Sequence, residues 1–163
     1  MPSATKIATC LWFDDQAEQA AKFYTSIFKD SKIVRTTHYT DAGREIHGRP
    51  PGSVMTVEFE IAGESFTALN GGPVFKFNEA ISFMVNCDTQ EEIDYFWNAL
   101  SEGGAEVQCG WLTDKFGVSW QVVSRDMSDL FAGTDPKASG RAMQAMMQMK
   151  KLDIAALKRA YAG

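Results

Sequence analysis

Residues 8–28, ATCLWFDDQAEQAAKFYTSIF, decide the fold, because residues 80–100, AISFMVNCDTQEEIDYFWNAL, repeat their pattern. Each stretch opens as a short apolar strand, turns through acidic residues, and continues as an amphipathic helix with aromatic pairs in matched places. Phe23-Tyr24 answers Phe96-Trp97. Further on, residues 63–72, GESFTALNGG, are answered by residues 117–124, GVSWQVVS, each beginning the strand that closes its half. The repeat predicts an α+β fold of two βαβββ modules. Matched residues would then occupy equivalent, facing positions of one pseudo-symmetric cleft.

Working outward, residues 6–13 are apolar and read as a strand. Asp14 or Asp15 then caps a helix that runs to about Lys29, with Ala17, Ala20, Ala21, Tyr24, Ile27 and Phe28 at helical spacing. Residues 33–39 are β-branched and read as a strand, and residues 40–52, rich in glycine and proline, read as a loop. Strict alternation over 53–61 and a turn at Ala62-Gly63 predict a hairpin with 64–70. The second half repeats this order. A strand covers 80–87, Asp88 or Thr89 caps a helix ending at Gly103-Gly104, and strands cover 105–111, 112–115 and 118–124. Module 1 spans about 5–71 and module 2 about 79–125 of one domain, 1–163, with a helical tail over 136–163.

The chain has 163 residues, 45% of them hydrophobic and 23% charged, a composition suited to a globular domain with a sizeable core. No apolar run is long enough to span a bilayer, and the N-terminus lacks a basic segment ahead of a long apolar core. No membrane partner and no secretion signal are expected. A net charge of −5, with Lys and Arg scattered, argues against nucleic acid. Cys10, Cys87 and Cys109 read as small buried hydrophobes in a reducing cytoplasm.

Alternation in the strands sorts two faces. Cys10, Trp12, Phe66, Ala68, Ile81, Phe83, Val85, Trp120 and Val122 form an apolar set expected beneath the helices. Thr9, Leu11, Ser65, Thr67, Ser82, Met84, Asn86, Ser119 and Gln121 form a smaller, mostly polar set suited to a ligand-filled concavity. Glu58 falls on the polar side of its strand.

The order of elements and the segments LWFDDQAEQAAKFYTSIF, ALNGGPVFKFNEAISFMV, CGWLTDKFGVSWQVV and AMQAMMQMKKLDIAAL resemble the vicinal oxygen chelate superfamily. This is the glyoxalase/bleomycin-resistance/extradiol dioxygenase fold. Within it, the chain resembles the PhnB-like, 3-demethylubiquinone-9 3-methyltransferase-like branch. The resemblance implies two βαβββ modules forming a U-shaped, eight-stranded mixed sheet with helices on the outer face, plus a C-terminal helical tail, and a homodimer. Metal-dependent members carry His, Gln or Glu at four inward positions, which map by register onto Thr9, Thr67, Ser82 and Gln121. The last follows from the pattern DPDGxxxE, in which Glu lies four residues after Gly, here Gly117. Hydroxyls and an amide suit a divalent transition metal poorly, so neither metal nor cofactor is expected. A methyltransferase would need a glycine-rich nucleotide turn, and Asn70-Gly71-Gly72-Pro73 reads instead as the turn between modules.

Three readings stand side by side. In the first, Thr9, Thr67, Ser82, Asn86, Trp111 and Gln121 line a cleft that holds a small polar or aromatic molecule without catalysis. Trp111 then ends a strand at the rim, and loop 38–53, with Arg44 and Arg49, serves as a lid. In the second, the protein is an enzyme of the superfamily, or the transferase of the family name, with Glu58 or His38 as base. In the third, the role is purely structural or one of interaction through a Met-rich tail: Met143, Met146, Met147 and Met149 do not all share one helix face, so some meet a partner subunit.

Overall fold

The computed structural model describes residues 5–163, which divide into two compact units meeting at Phe77/Asn78. In the first unit β1 (Thr9–Phe13), α1 (Ala17–Ile27), β2 (Ser31–His38), α2 (Arg44–His47), β3 (Val54–Ile61) and β4 (Glu64–Asn70) follow in order. The second unit runs β5 (Phe83–Cys87), α3 (Gln90–Ser101), β6 (Ala105–Glu106), β7 (Trp111–Thr113), β8 (Ser119–Ser124), α4 (Met127–Phe131), α5 (Pro136–Met147) and α6 (Ile154–Ala162). The strands form two four-stranded mixed sheets, ordered β1-β4-β3-β2 and β5-β8-β7-β6. The first and last strands of each sheet half are parallel neighbours, and the other pairs are antiparallel. The repeat seen in sequence is therefore a repeat of topology.

The matched aromatics do matched work. Tyr24 of α1 is fully buried, as is Trp97 of α3 to within 2%. Tyr24 stacks at 6.1 Å on Phe59, which stacks at 5.3 Å on Phe66. Thr89 caps α3 by accepting from the Glu92 N–H, as expected. Helix α1 is capped differently: neither Asp14 nor Asp15 does it. Its N-terminal residue Ala17 donates instead to Asn70 Oδ1 at 2.8 Å, and Asn70 Nδ2 donates to the Val54 carbonyl. A side chain at the end of β4 thus replaces the local cap, and Asn70 is buried because both its polar ends are used.

Three expectations about elements change. The loop after β2 contains the short α2, bracketed by Gly43 and Gly48 with positive φ. The strand expected over 105–111 stops at Glu106, because Cys109 and Gly110 both adopt positive φ and Trp111 N–H closes a turn onto Gln108. Trp111 consequently begins β7 rather than ending the previous strand. The tail is broken into two helices, with Asp153 capping α6 through the Ala156 N–H. Among the described residues no helix is long and apolar enough to cross a membrane.

Candidate functional site

Strand pairing fixes which residues share a face. In the second unit Met84 lies opposite Gln121, and Gln121 lies opposite Trp111, so all three share one face of the sheet. Ser82 and Asn86 join them by alternation, and Gln121 Nε2 donates to Ser82 Oγ at 2.9 Å. Phe83, Val85, Trp120 and Val122 occupy the other face, toward α3. Ser119 and Val123 on the polar face are buried, and its accessible part includes Ser82, Met84, Asn86, Trp111, Thr113 and Gln121, with Met84 57% exposed.

In the first unit one strand is reversed relative to expectation. Cys10, not Thr9, lies opposite Thr67, while Thr9 lies opposite Phe66 on the helix-covered face with Leu11 and Ala68. Leu11 and Phe13 are buried and Cys10 is exposed. The cause is one extra residue in the first β–α connection: three residues separate Phe13 from Ala17, and two separate Cys87 from Gln90. Aligning the modules on their helices therefore shifts the strand by one, and a one-residue shift exchanges the faces. The unequal connection lengths were the available signal. The polar face of this unit carries Cys10, Thr67 and Glu58 in one row. Trp12, next along it, donates from Nε1 to the Gly72 carbonyl at 2.9 Å and meets Phe75 edge-on at 4.9 Å.

Glu58 is occupied by Arg35, whose Nη2 donates to its carboxylate at 2.7 Å, and the same contact holds the guanidinium above its usual range. His38 ends β2 beyond a register shift, opposite Val54, and is exposed. His47 stands apart, its ring tilted against Tyr39 at 4.5 Å, with Nδ1 accepting from the Arg49 N–H. Arg49 donates to the Asp14 carbonyl, so the expected lid is tied to the start of α1. Beside it lies a groove of about 460 Å³ lined by Asp15, Glu18, Gln19, Lys22, Arg49, Pro50, Ser53, Val54 and Asn70. Arg49 of the expected lid lines it, but none of Thr9, Thr67, Ser82, Asn86, Trp111 and Gln121 does. Its Lys22 and Arg49 are already paired with Glu18 and Asp14.

In the metal-dependent members that the sequence resembles, the four inward positions carry His, Gln or Glu. Here those positions hold Thr67, Gln121, Ser82 and, on the first strand, Cys10 in place of Thr9. Among the described residues no three of His, Cys, Asp and Glu converge into a group able to hold a metal ion. One thiol, two hydroxyls and an amide make a poor donor set for a divalent transition metal, with Cys10 as its single strong ligand.

The cysteines differ from one another. Cys10 is exposed and Cys109 half-buried, against the expectation that all three are buried; Cys87 alone is fully so. Burial pushes the Cys87 thiol up to about 12, with Glu92 and Asp88 adding to the shift and Arg125 opposing it. A raised acid pKa means that its contribution to stability is intact below the unfolded value near 9.0. It is lost as pH climbs toward 12, because the unfolded chain ionises first. Unfolding free energy should therefore fall by on the order of a few kcal/mol across this window. In urea titrations at about pH 8 and about pH 10.5, wild type should lose more stability than Cys87→Ala; equal losses would mean that this thiol does not set the alkaline limit.

Two βαβββ units with this strand order define the vicinal oxygen chelate class of fold. Within it, the chain belongs to the 3-demethylubiquinone-9 3-methyltransferase family, which it matches over residues 5–123. The PhnB protein of Bacillus cereus is 36% identical, with a TM-score of 0.65, covering 74% of this chain and 99% of that one. A protein of Pseudomonas aeruginosa shares the fold at 20% identity and a TM-score of 0.60, over 74% of this chain and 98% of its own. The fosfomycin resistance protein FosX of Listeria monocytogenes is similar at 16% identity and 0.46, over 75% and 91%. No curated protein matches the chain. The tail segment that shaped the family resemblance in sequence lies beyond the matched residues.

Proposed function

We propose that the protein binds a small polar or aromatic molecule, without metal or other cofactor, on the sheet face carrying Ser82, Met84, Asn86, Trp111 and Gln121. The observation that carries this reading is the Gln121–Ser82 hydrogen bond, set in register with Trp111. It orients a neutral amide and a hydroxyl while leaving the Gln121 carbonyl oxygen and the Ser82 O–H for a ligand. Trp111 and Met84 flank them with an aromatic ring and a polarizable thioether, a combination that favours planar or weakly polar molecules. Neutral donors and acceptors make binding rather than proton transfer the natural chemistry of this face.

The transferase implied by the family's name finds no support in the glycine cluster. A Cβ on Gly71 would sit 2.3 Å from the Trp12 indole, so that glycine makes room for a side chain and not for a nucleotide. Glu58, the candidate base, is committed to Arg35.

Titration of small aromatic and polar compounds, read by calorimetry, tests the proposal. Affinity for a hit should fall about tenfold in Gln121→Ala and in Trp111→Ala, the loss of roughly one hydrogen bond or stacking contact. Unchanged affinity in both folded variants would remove this face as the site. We further propose that the chain works as a homodimer in the cytoplasm. Met143 and Met147, 40% and 57% exposed and one turn apart on α5, offer an apolar strip to a partner subunit, and the three cysteines are free thiols.

A further inference from the structure

Residues 124–163 lie beyond the family match, yet their middle is tied to the second unit by specific contacts. The turn that precedes Trp111 has positive φ at both Cys109 and Gly110, 61° and 82°. Such a turn points its two central N–H groups outward, and a non-glycine residue there costs on the order of 1–3 kcal/mol. Both N–H groups are taken by the tail: Cys109 donates to the Met149 carbonyl and Gly110 to the Lys150 carbonyl, each at 2.8 Å. The tail is in turn held by Gln90, the first residue of α3. Gln90 Nε2 donates to the Leu152 carbonyl at 2.9 Å and to Asp94 at 3.1 Å, while its Oε1 accepts from the Ile154 N–H at 2.9 Å. Leu152 is fully buried, and a Cβ on Gly110 would lie 3.1 Å from its Cγ. Lys151 pairs with Asp94 at 2.9 Å, a contact that, ahead of the one from Gln90, keeps this carboxyl below its usual range.

We propose that residues 149–154 form a latch and that Gln90 is a positioning residue. By reading the latch's main chain, Gln90 holds the Cys109-Gly110 turn and thereby sets the placement of Trp111. The amide is suited to this task because one side chain supplies a donor and an acceptor to an extended segment, as a neighbouring strand would. Only the consequence for ligand affinity rests on the binding reading above.

Full-length protein labelled with 5-fluorotryptophan tests this, since the chain has 4 Trp and Trp111→Phe assigns its resonance. In Gln90→Ala the Trp111 fluorine signal should shift or broaden while those of Trp12, Trp97 and Trp120 stay. Amide exchange at Cys109 and Gly110 should accelerate about tenfold, the factor expected for one lost net hydrogen bond. Leu152→Ala should give the same pattern, and Gln90→Ala keeps the test open if Leu152→Ala fails to fold. An unmoved Trp111 signal with unchanged exchange at both amides in Gln90→Ala would overturn the latch. A moved signal with ligand affinity intact would uphold the latch and overturn the role of Trp111 in binding.

Discussion

Asp114→Ala should cost the protein about 3–5 kcal/mol of unfolding free energy, more than any substitution on the polar face. The carboxylate is 2% exposed and sits inside the β7–β8 turn. Its Oδ1 accepts from the N–H groups of Phe116 and Val118 at 2.9 and 3.0 Å, and its Oδ2 accepts from Trp120 Nε1 at 2.9 Å. Alanine would leave all three donors without this acceptor, one of them on the largest side chain of β8. Because this turn joins β7, which carries Trp111, to β8, which carries Gln121, the same change should also loosen the candidate site. Asp114→Asn keeps one acceptor oxygen and should lose less. Urea denaturation of the two variants measures both, and a loss below about 1 kcal/mol in Asp114→Ala would show that the turn does not depend on its carboxylate.

Trp97→Ala should be of similar size, about 3–5 kcal/mol. The side chain is 2% exposed beneath α3, and its Nε1 donates to Glu106 Oε1 at 3.0 Å, joining the helix to β6. Removing it leaves a large cavity and an unused carboxylate. Trp97→Phe preserves most of the packing and should lose clearly less, which separates the ring from the hydrogen bond. Circular dichroism followed through urea reads both; equal stability of Trp97→Ala and wild type would contradict the packing assigned to the repeat.

The fold was legible because the repeat is written in features that physics makes local. Aromatic pairs at helical spacing located both helices. Strict alternation and the Gly63 turn located β4 from Glu64 to Asn70, as observed. Thr89 announced α3 by its cap. The features that were not legible depend on contacts distant in sequence. The cap of α1 comes from Asn70, 53 residues away, and so Asp14 and Asp15 looked like better candidates than they are. The break in the tail follows from docking of Leu152 against Gly110, which no helical periodicity encodes, although Asp153 carried a local sign of a new helix start.

The candidate site shows the same division. The second unit's face, with Ser82, Met84, Asn86 and Gln121, followed from alternation alone because β5 and β8 pair without irregularity. The first unit's face was read correctly on β3 and β4 and reversed on β1. There the alignment was anchored on the helices, and a single additional residue separates strand from helix. Gln90 was invisible as a functional residue because its partners are main-chain atoms more than 60 residues away. Only the tertiary structure brings them together.

The most direct test of the central claim, binding by neutral groups without a metal, is native mass spectrometry of the full-length protein with elemental analysis of the same sample. The expected species is a dimer without stoichiometric transition metal, carrying an organic adduct that is lost in Gln121→Ala. A metal present at one ion per chain, and lost in Gln121→Ala, would contradict it and would make this face a metal centre instead.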